Sequence, residues 1–99
     1  DQQDKNITRQ IFRVIQEALT NVVRHAQARH VDIELTLLKA QQLLQLKIKD
    51  DGRGCDLHSI SHGFGLRGMK ERVRSLDGDF EIKSVPEQGM LITARIPLS

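Results

Sequence analysis

The chain has 99 residues, of which 38% are hydrophobic and 28% charged, and its 15 basic and 13 acidic side chains leave a formal net charge of +2. This length allows one small domain with one hydrophobic core, and this composition excludes a chain that is disordered throughout. No apolar run approaches the roughly 18 residues that a membrane-spanning helix needs, and no signal-peptide pattern is visible. The aromatic residues are three phenylalanines, too few for a single-strand stacking platform, so we expect no direct nucleic-acid binding.

The cysteine content and the first residues indicate the cellular compartment of the domain and its place in a longer protein. Cys55 is the single cysteine, so no internal disulfide can form, which fits a reducing compartment. We therefore expect a cytoplasmic domain. Because the chain begins at Asp1 and runs directly into a helical pattern, we interpret residues 1–99 as one domain of a longer protein.

The apolar pattern predicts two helices and four strands. Helical periodicity covers 7–28, where the apolar positions are Ile7, Ile11, Val14, Ile15, Ala18, Leu19, Val22 and Ala26. Alternating runs predict a hairpin of strands at 31–38 and 43–50, then a second helix over 66–78 that stops at Gly78, and a second strand pair at 79–85 and 90–98. This order predicts an α+β, two-layer sandwich in which two main helices cover a mixed, mostly antiparallel sheet of about four strands.

The first helix carries a polar stripe at one margin of its apolar arc. Glu17, Asn21, Arg24 and His25 share this stripe. A carboxylate and an amide four residues apart offer the hard oxygens that Mg²⁺ takes, and the two basic residues could meet phosphate oxygens. The alternative is an ordinary solvated helix surface.

A second candidate feature, Asp-Asp-Gly-Arg-Gly, follows directly on the second strand at 50–54. Gly52 and Gly54 would let a flat ligand approach the backbone, and Asp50 would accept a hydrogen bond from an amino group. The alternative is a simple strand-to-loop turn.

The third feature is Gly-Phe-Gly-Leu-Arg-Gly at 63–68, which precedes the second helix. A dinucleotide-binding fingerprint of this form must follow a strand, but here it follows a polar loop, so we do not expect a Rossmann fold. A glycine-rich loop that leads into a helix N-terminus still presents N–H groups to an anion such as a phosphate.

Together the three features resemble the ATP-binding domain of sensor histidine kinases. Residues 17–26, Glu-Ala-Leu-Thr-Asn-Val-Val-Arg-His-Ala, resemble its N box, 50–54 its first glycine box and 63–69 its second. Within that family, the residues of these motifs are similar to those of the nitrate/nitrite-sensor and sugar-phosphate-sensor subfamily. The resemblance covers about 11–98. It implies the Bergerat ATP-binding fold shared with gyrase, a heat-shock chaperone and mismatch-repair ATPases.

The resemblance also implies a role for each matching residue. Asn21 matches the Mg²⁺ ligand, Glu17 the acid that orients or activates the attacking group, and Arg24 and His25 the positions that face ribose and phosphates. Asp50 matches the acceptor for the adenine amino group.

The glycine boxes supply the remaining matches. Gly52 and Gly54 match the turn beneath the base. The phosphate-side loop is matched by Gly63, Gly65, Leu66 and Gly68, and Met69 matches a position beside the nucleotide pocket.

The implied activity is histidine kinase catalysis with ATP and Mg²⁺ as cofactors. The domain would deliver the γ-phosphate to a histidine on a separate dimerisation domain of a homodimeric parent, for relay to a response regulator. The fragment alone would lack the acceptor and be inactive, and the resemblance leaves open whether the parent is anchored in the inner membrane. Two departures are visible. Met90 follows Gly89 where the family usually has threonine, and the lid is short, with eight residues, 55–62, between Gly54 and Gly63.

Two other functions stay open. A serine kinase or ATPase of the same superfamily would use the same pocket. A degenerate, non-catalytic interaction module would keep the fold, and Met90 favours that reading.

Overall fold

The computed structural model describes residues 2–23, 30–52, 66–85 and 89–98. Its elements in chain order are α1 (Gln2–Asn21), β1 (Val31–Leu38), β2 (Leu43–Asp50), α2 (Leu66–Arg74), β3 (Asp79–Val85) and β4 (Gly89–Pro97). The predicted order of elements is confirmed. α1 begins five residues before the predicted start, and its regular part ends at Asn21. Within the described ranges, no helix combines the length and the apolar character that a membrane crossing requires.

The four strands form one sheet in the order β1-β2-β4-β3. All three pairings are antiparallel, so the described sheet contains no parallel neighbours, although the prediction of a mixed sheet allowed for them. β2 and β3 both pair with β4 and therefore run in the same direction on either side of it. The connection that contains α2 must cross over β4, which carries α2 onto one face of the sheet.

One hydrophobic core lies between the two helices and that face. In β2 and β4 every second residue points inward, as the alternating pattern predicts. The largest fully buried side chains are Val14 on α1, Leu46 on β2, Met69 and Val73 on α2, and Ile96 on β4. Because these residues belong to one cluster, the helices and the two central strands are packed as a unit.

The helices leave the inner face of β1 uncovered. Ile33, Leu35 and Leu37 are 43%, 52% and 49% exposed, although they pair with inward-facing residues of β2. On α1, Leu19 belongs to the predicted apolar arc but is 38% exposed. The periodicity of α1 identifies its apolar arc but not which margin of that arc the sheet covers.

At the C-terminus of α2, Gly78 is needed because it lets two backbone segments approach closely, and not because of its dihedral angles. Asp77, with φ +59°, takes the left-handed position, and the N–H of Gly78 donates to the carbonyl of Val73 at 3.0 Å, as in a Schellman motif. A Cβ at Gly78 would lie 2.6 Å from the carbonyl oxygen of Arg95. Gly78 therefore lets the helix end pack directly on β4.

Candidate functional site

Asp50 is the last residue of the central strand β2 and has an almost buried side chain, 8% exposed. Its Oδ1 accepts a hydrogen bond of 2.9 Å from the N–H of Gly52, which is also buried. This local hydrogen bond fixes one oxygen of the carboxylate. A carboxylate held in this way at a strand end is a rigid acceptor rather than a solvated surface acid.

Asp51, the next residue, has a different task. Its Oδ1 accepts from the N–H of His30 at 2.9 Å, and its Oδ2 lies 3.0 Å from Nδ1 of the same histidine. These contacts tie the start of β1 to the end of β2, beside Asp50. The sequence analysis proposed Asp50 as the ligand acceptor and assigned no role to Asp51.

Gly89 and Met90, at the start of β4, lie against Asp50. Met90 is the register partner of Asp50 and is 9% exposed, so a thioether lies on the same face of the sheet as the carboxylate. Gly89 has φ +95°, and a Cβ there would lie 2.2 Å from the carbonyl oxygen of Asp50. A cavity of about 180 Å³ opens at this end of β2, β3 and β4, and Ser84 contributes to its lining.

Glu17 on α1 is held by a residue that the sequence patterns did not identify. Its Oε1 accepts a hydrogen bond of 3.1 Å from Nε of Arg72 on α2, and both side chains are about one third exposed. Nη1 of Arg72 also donates to Oε1 of Gln10 at 3.4 Å. One signal was available: Arg72 lies three residues after the buried Met69, which turns it toward the packed face of α2.

The second oxygen of Glu17, Oε2, is buried and accepts no hydrogen bond from any residue in the described segments. It lies against Gly68 in the first turn of α2, 3.4 Å from where a Cβ would stand. The structure therefore brings Glu17 and Gly68 together. An acceptor buried without a donor is costly in an isolated protein and marks a place where a ligand could supply the donor.

The remaining predicted residues fall into two groups. Asn21 is half-buried one turn after Glu17, whereas Leu66 (8% exposed) and Met69 (0%) are core residues that support α2 from beneath. Five predicted positions lie outside the described residues and stay predictions: Arg24, His25, Gly54, Gly63 and Gly65.

Comparison with known proteins decides the family. Residues 6–99 match the family described as Histidine kinase-, DNA gyrase B-, and HSP90-like ATPase. The chain belongs to this family. Its ATP-binding fold is the one that the three sequence motifs predicted, and the two-helix, four-strand layout agrees with it.

Among similar proteins, the chain is 39% identical over 93 residues to the sensor histidine kinase YxjM of Bacillus subtilis, and 41% identical over 90 residues to the histidine-protein kinase/phosphatase DegS of Brevibacillus brevis. These matches cover 94% and 90% of this chain but only 22% and 23% of the two relatives. The histidine kinase domain of the blue-light activated kinase from Erythrobacter litoralis superposes with a TM-score of 0.72 at 24% identity, over 90% of this chain and 43% of that one. The domain is thus homologous to catalytic domains of sensor histidine kinases.

Proposed function

We propose that this chain is the Mg-ATP-binding catalytic domain of a sensor histidine kinase that presents the γ-phosphate to a histidine on a separate dimerisation domain, for relay to a response regulator. The observation that carries the proposal is the buried Asp50 carboxylate, fixed by the N–H of Gly52 at the end of the central strand. The family and the names of the relatives support the same activity.

Asp50 supplies the base specificity in this proposal. An acceptor with one oxygen already occupied offers the other to an exocyclic amino group, which adenine has at C6 and guanine replaces by a carbonyl oxygen. Guanine would direct an acceptor at the carboxylate, so adenine nucleotides are preferred. Gly52 leaves room for the flat base, because no side chain covers the backbone there.

Glu17 and Asn21 form the proposed metal and phosphate side. Both offer hard oxygens on one stripe of α1. The buried Oε2 of Glu17, which accepts no hydrogen bond from the described part of the chain, fits a site that a hydrated Mg²⁺ or an attacking group completes. When bound, Mg²⁺ would neutralise charge on the phosphates. The residues of the chain hold and orient the nucleotide, with Arg24, His25 and the loop at 63–68 proposed to contact ribose and phosphates.

The proposal also concerns the parent protein of which this domain is a part. We propose that the parent protein belongs to the nitrate/nitrite-sensor and sugar-phosphate-sensor subfamily, because of the sequence of residues 17–26 and the short lid at 55–62. We further propose a homodimeric parent with this domain in the cytoplasm. A degenerate, non-catalytic module is the second candidate, because the buried Met90 puts a thioether beside Asp50.

Two substitutions test the division between base and metal recognition by calorimetric titration with ADP, with and without Mg²⁺. Asp50→Asn turns one acceptor into a donor that faces the amino group, so affinity should fall whether or not metal is present. Asn21→Ala should weaken the metal-dependent part of binding and largely spare adenosine. Asp32→Asn and Asn6→Ala, at exposed positions of β1 and α1, are the matched controls and should bind as wild type does.

A loss confined to the Mg²⁺ titration in both site variants would contradict the role of Asp50. Wild-type affinity in both would contradict the whole site.

A further inference from the structure

Arg72 joins the two helices of the site through one guanidinium group. Its Nε donates to Glu17 and its Nη1 to Gln10, two residues that are two helical turns apart on the same stripe of α1. Because a guanidinium group is planar and rigid, two contacts from one group restrict its orientation and with it the orientation of the acceptors. Both side chains of the ion pair are about one third exposed, so water competes only in part.

The pairing distinguishes the two oxygens of Glu17. Arg72 occupies Oε1, and Oε2 is turned to Gly68, where the absence of a side chain leaves room at the first turn of α2. Within the described residues Oε2 is the only buried side-chain oxygen or nitrogen without a hydrogen bond. Arg72 therefore leaves one carboxylate oxygen available at the turn that continues the glycine-rich loop.

We infer that Arg72 is a positioning residue for the kinase reaction: it holds Glu17 by one oxygen so that the other faces the reacting end of the nucleotide. The inference rests on the proposed function, in which Glu17 orients the attacking group. Arg72 itself contacts no substrate. Arg72 also links Glu17 to α2, whose first residues, 66–68, are the end of the glycine-rich motif.

A purely structural role for Arg72 makes a different prediction. If the guanidinium group served only to hold α1 against α2, its removal would lower the melting temperature, and its effect on turnover would combine independently with that of a change at Glu17. If it acts through Glu17, its removal should have no further effect once the carboxylate is gone.

The experiment measures autophosphorylation of the parent kinase carrying Arg72→Met, Arg72→Lys, Glu17→Gln, the double variant Arg72→Met/Glu17→Gln, and Gln10→Leu. Arg72→Met should lower kcat by about tenfold to a hundredfold, the loss typical of a misplaced group, with the KM for ATP within about twofold of wild type. Arg72→Lys should fall between Arg72→Met and wild type, because its single nitrogen cannot keep both contacts. Gln10→Leu removes one of the two contacts that orient the guanidinium group, so its kcat should lie between those of Arg72→Met and wild type.

The double variant decides between the two roles. A kcat equal to that of Glu17→Gln alone supports positioning, and a kcat lowered by the product of the two single effects overturns it. Should Arg72→Met fail to fold, the same comparison is made with Arg72→Lys and Arg72→Lys/Glu17→Gln, and a wild-type kcat for Arg72→Lys overturns the inference. A wild-type parent that binds no ATP or forms no phosphohistidine instead contradicts the proposed function, so the two failures are distinguishable.

Discussion

Replacing Gly89 by alanine should disturb both stability and nucleotide binding through one backbone contact. Gly89 has φ +95°, and an added Cβ would lie 2.2 Å from the carbonyl oxygen of Asp50 and 3.3 Å from Cα of Asp51. Neither neighbour is a flexible side-chain end. The main chain at the end of β2 must therefore move, and the Asp50 carboxylate moves with it.

The expected loss follows from two separate costs. A non-glycine residue in a sparsely populated backbone region costs about 1–3 kcal/mol, and forcing extra volume into a packed site typically costs a further 1–3 kcal/mol or so. For a domain of this size each kcal/mol corresponds to roughly 4–8 °C in melting temperature, so Gly89→Ala should melt at least about 8 °C below wild type.

The melt is followed by calorimetry or circular dichroism, because the chain has no tryptophan or tyrosine to report by fluorescence. The matched control is Gly68→Ala in α2, where the added Cβ would meet Glu17 Oε2 at an ordinary 3.4 Å. Alanine is favoured over glycine in a helix by about 0.5–1 kcal/mol, so this variant should not be destabilised. Equal melting temperatures for Gly89→Ala and wild type would refute the steric reasoning, as would wild-type ADP affinity in Gly89→Ala.

Two further predictions concern the core and the missing acceptor. Leu46→Ala removes a side chain that is 1% exposed and should lower the free energy of unfolding by about 2–5 kcal/mol, whereas Leu35→Ala, at its register partner, which is 52% exposed, should lower it by about 1 kcal/mol or less. Denaturant titration measures both losses, and similar losses would contradict the observed coverage of the sheet. The isolated chain should bind Mg-ATP without forming phosphohistidine, and transfer should require a dimerisation domain; acid-labile, base-stable label on this chain alone would refute that expectation.

Much of the fold was predictable because the local patterns agree with the packing. The hairpin at 31–50 and the strand pair that follows α2 lie where alternation placed them, and the helical core positions Ile7, Ile11 and Val14 are buried. Leu19 and the inner face of β1 were not predictable, since periodicity defines an apolar face but not how far the neighbouring layer extends over it.

In the candidate site, too, the sequence indicates residues in local motifs but not contacts that depend on packing. Asp50 and Glu17 could be proposed from the sequence because each belongs to a local motif whose chemistry is visible in a few residues. Arg72 was missed because its partners lie 55 and 62 residues away in sequence, and only the packing of α2 on α1 brings them together. Gly89 was noted only because Met90 follows it where the family usually has threonine, and its contact with the Asp50 carbonyl depends on the register of β2 and β4.

The central claim is that the end of β2 recognises adenine, and the melting temperature with saturating nucleotide tests it most directly. A ligand at 100 times its Kd stabilises the native state by about 2.7 kcal/mol, which for this length corresponds to a rise of about 10 °C or more. Mg-ADP and Mg-ATP should both produce this rise and Mg-GTP should not, because guanine offers a carbonyl oxygen to the Asp50 carboxylate. Equal rises with GTP, or no rise with any adenine nucleotide at millimolar concentration, would contradict the claim.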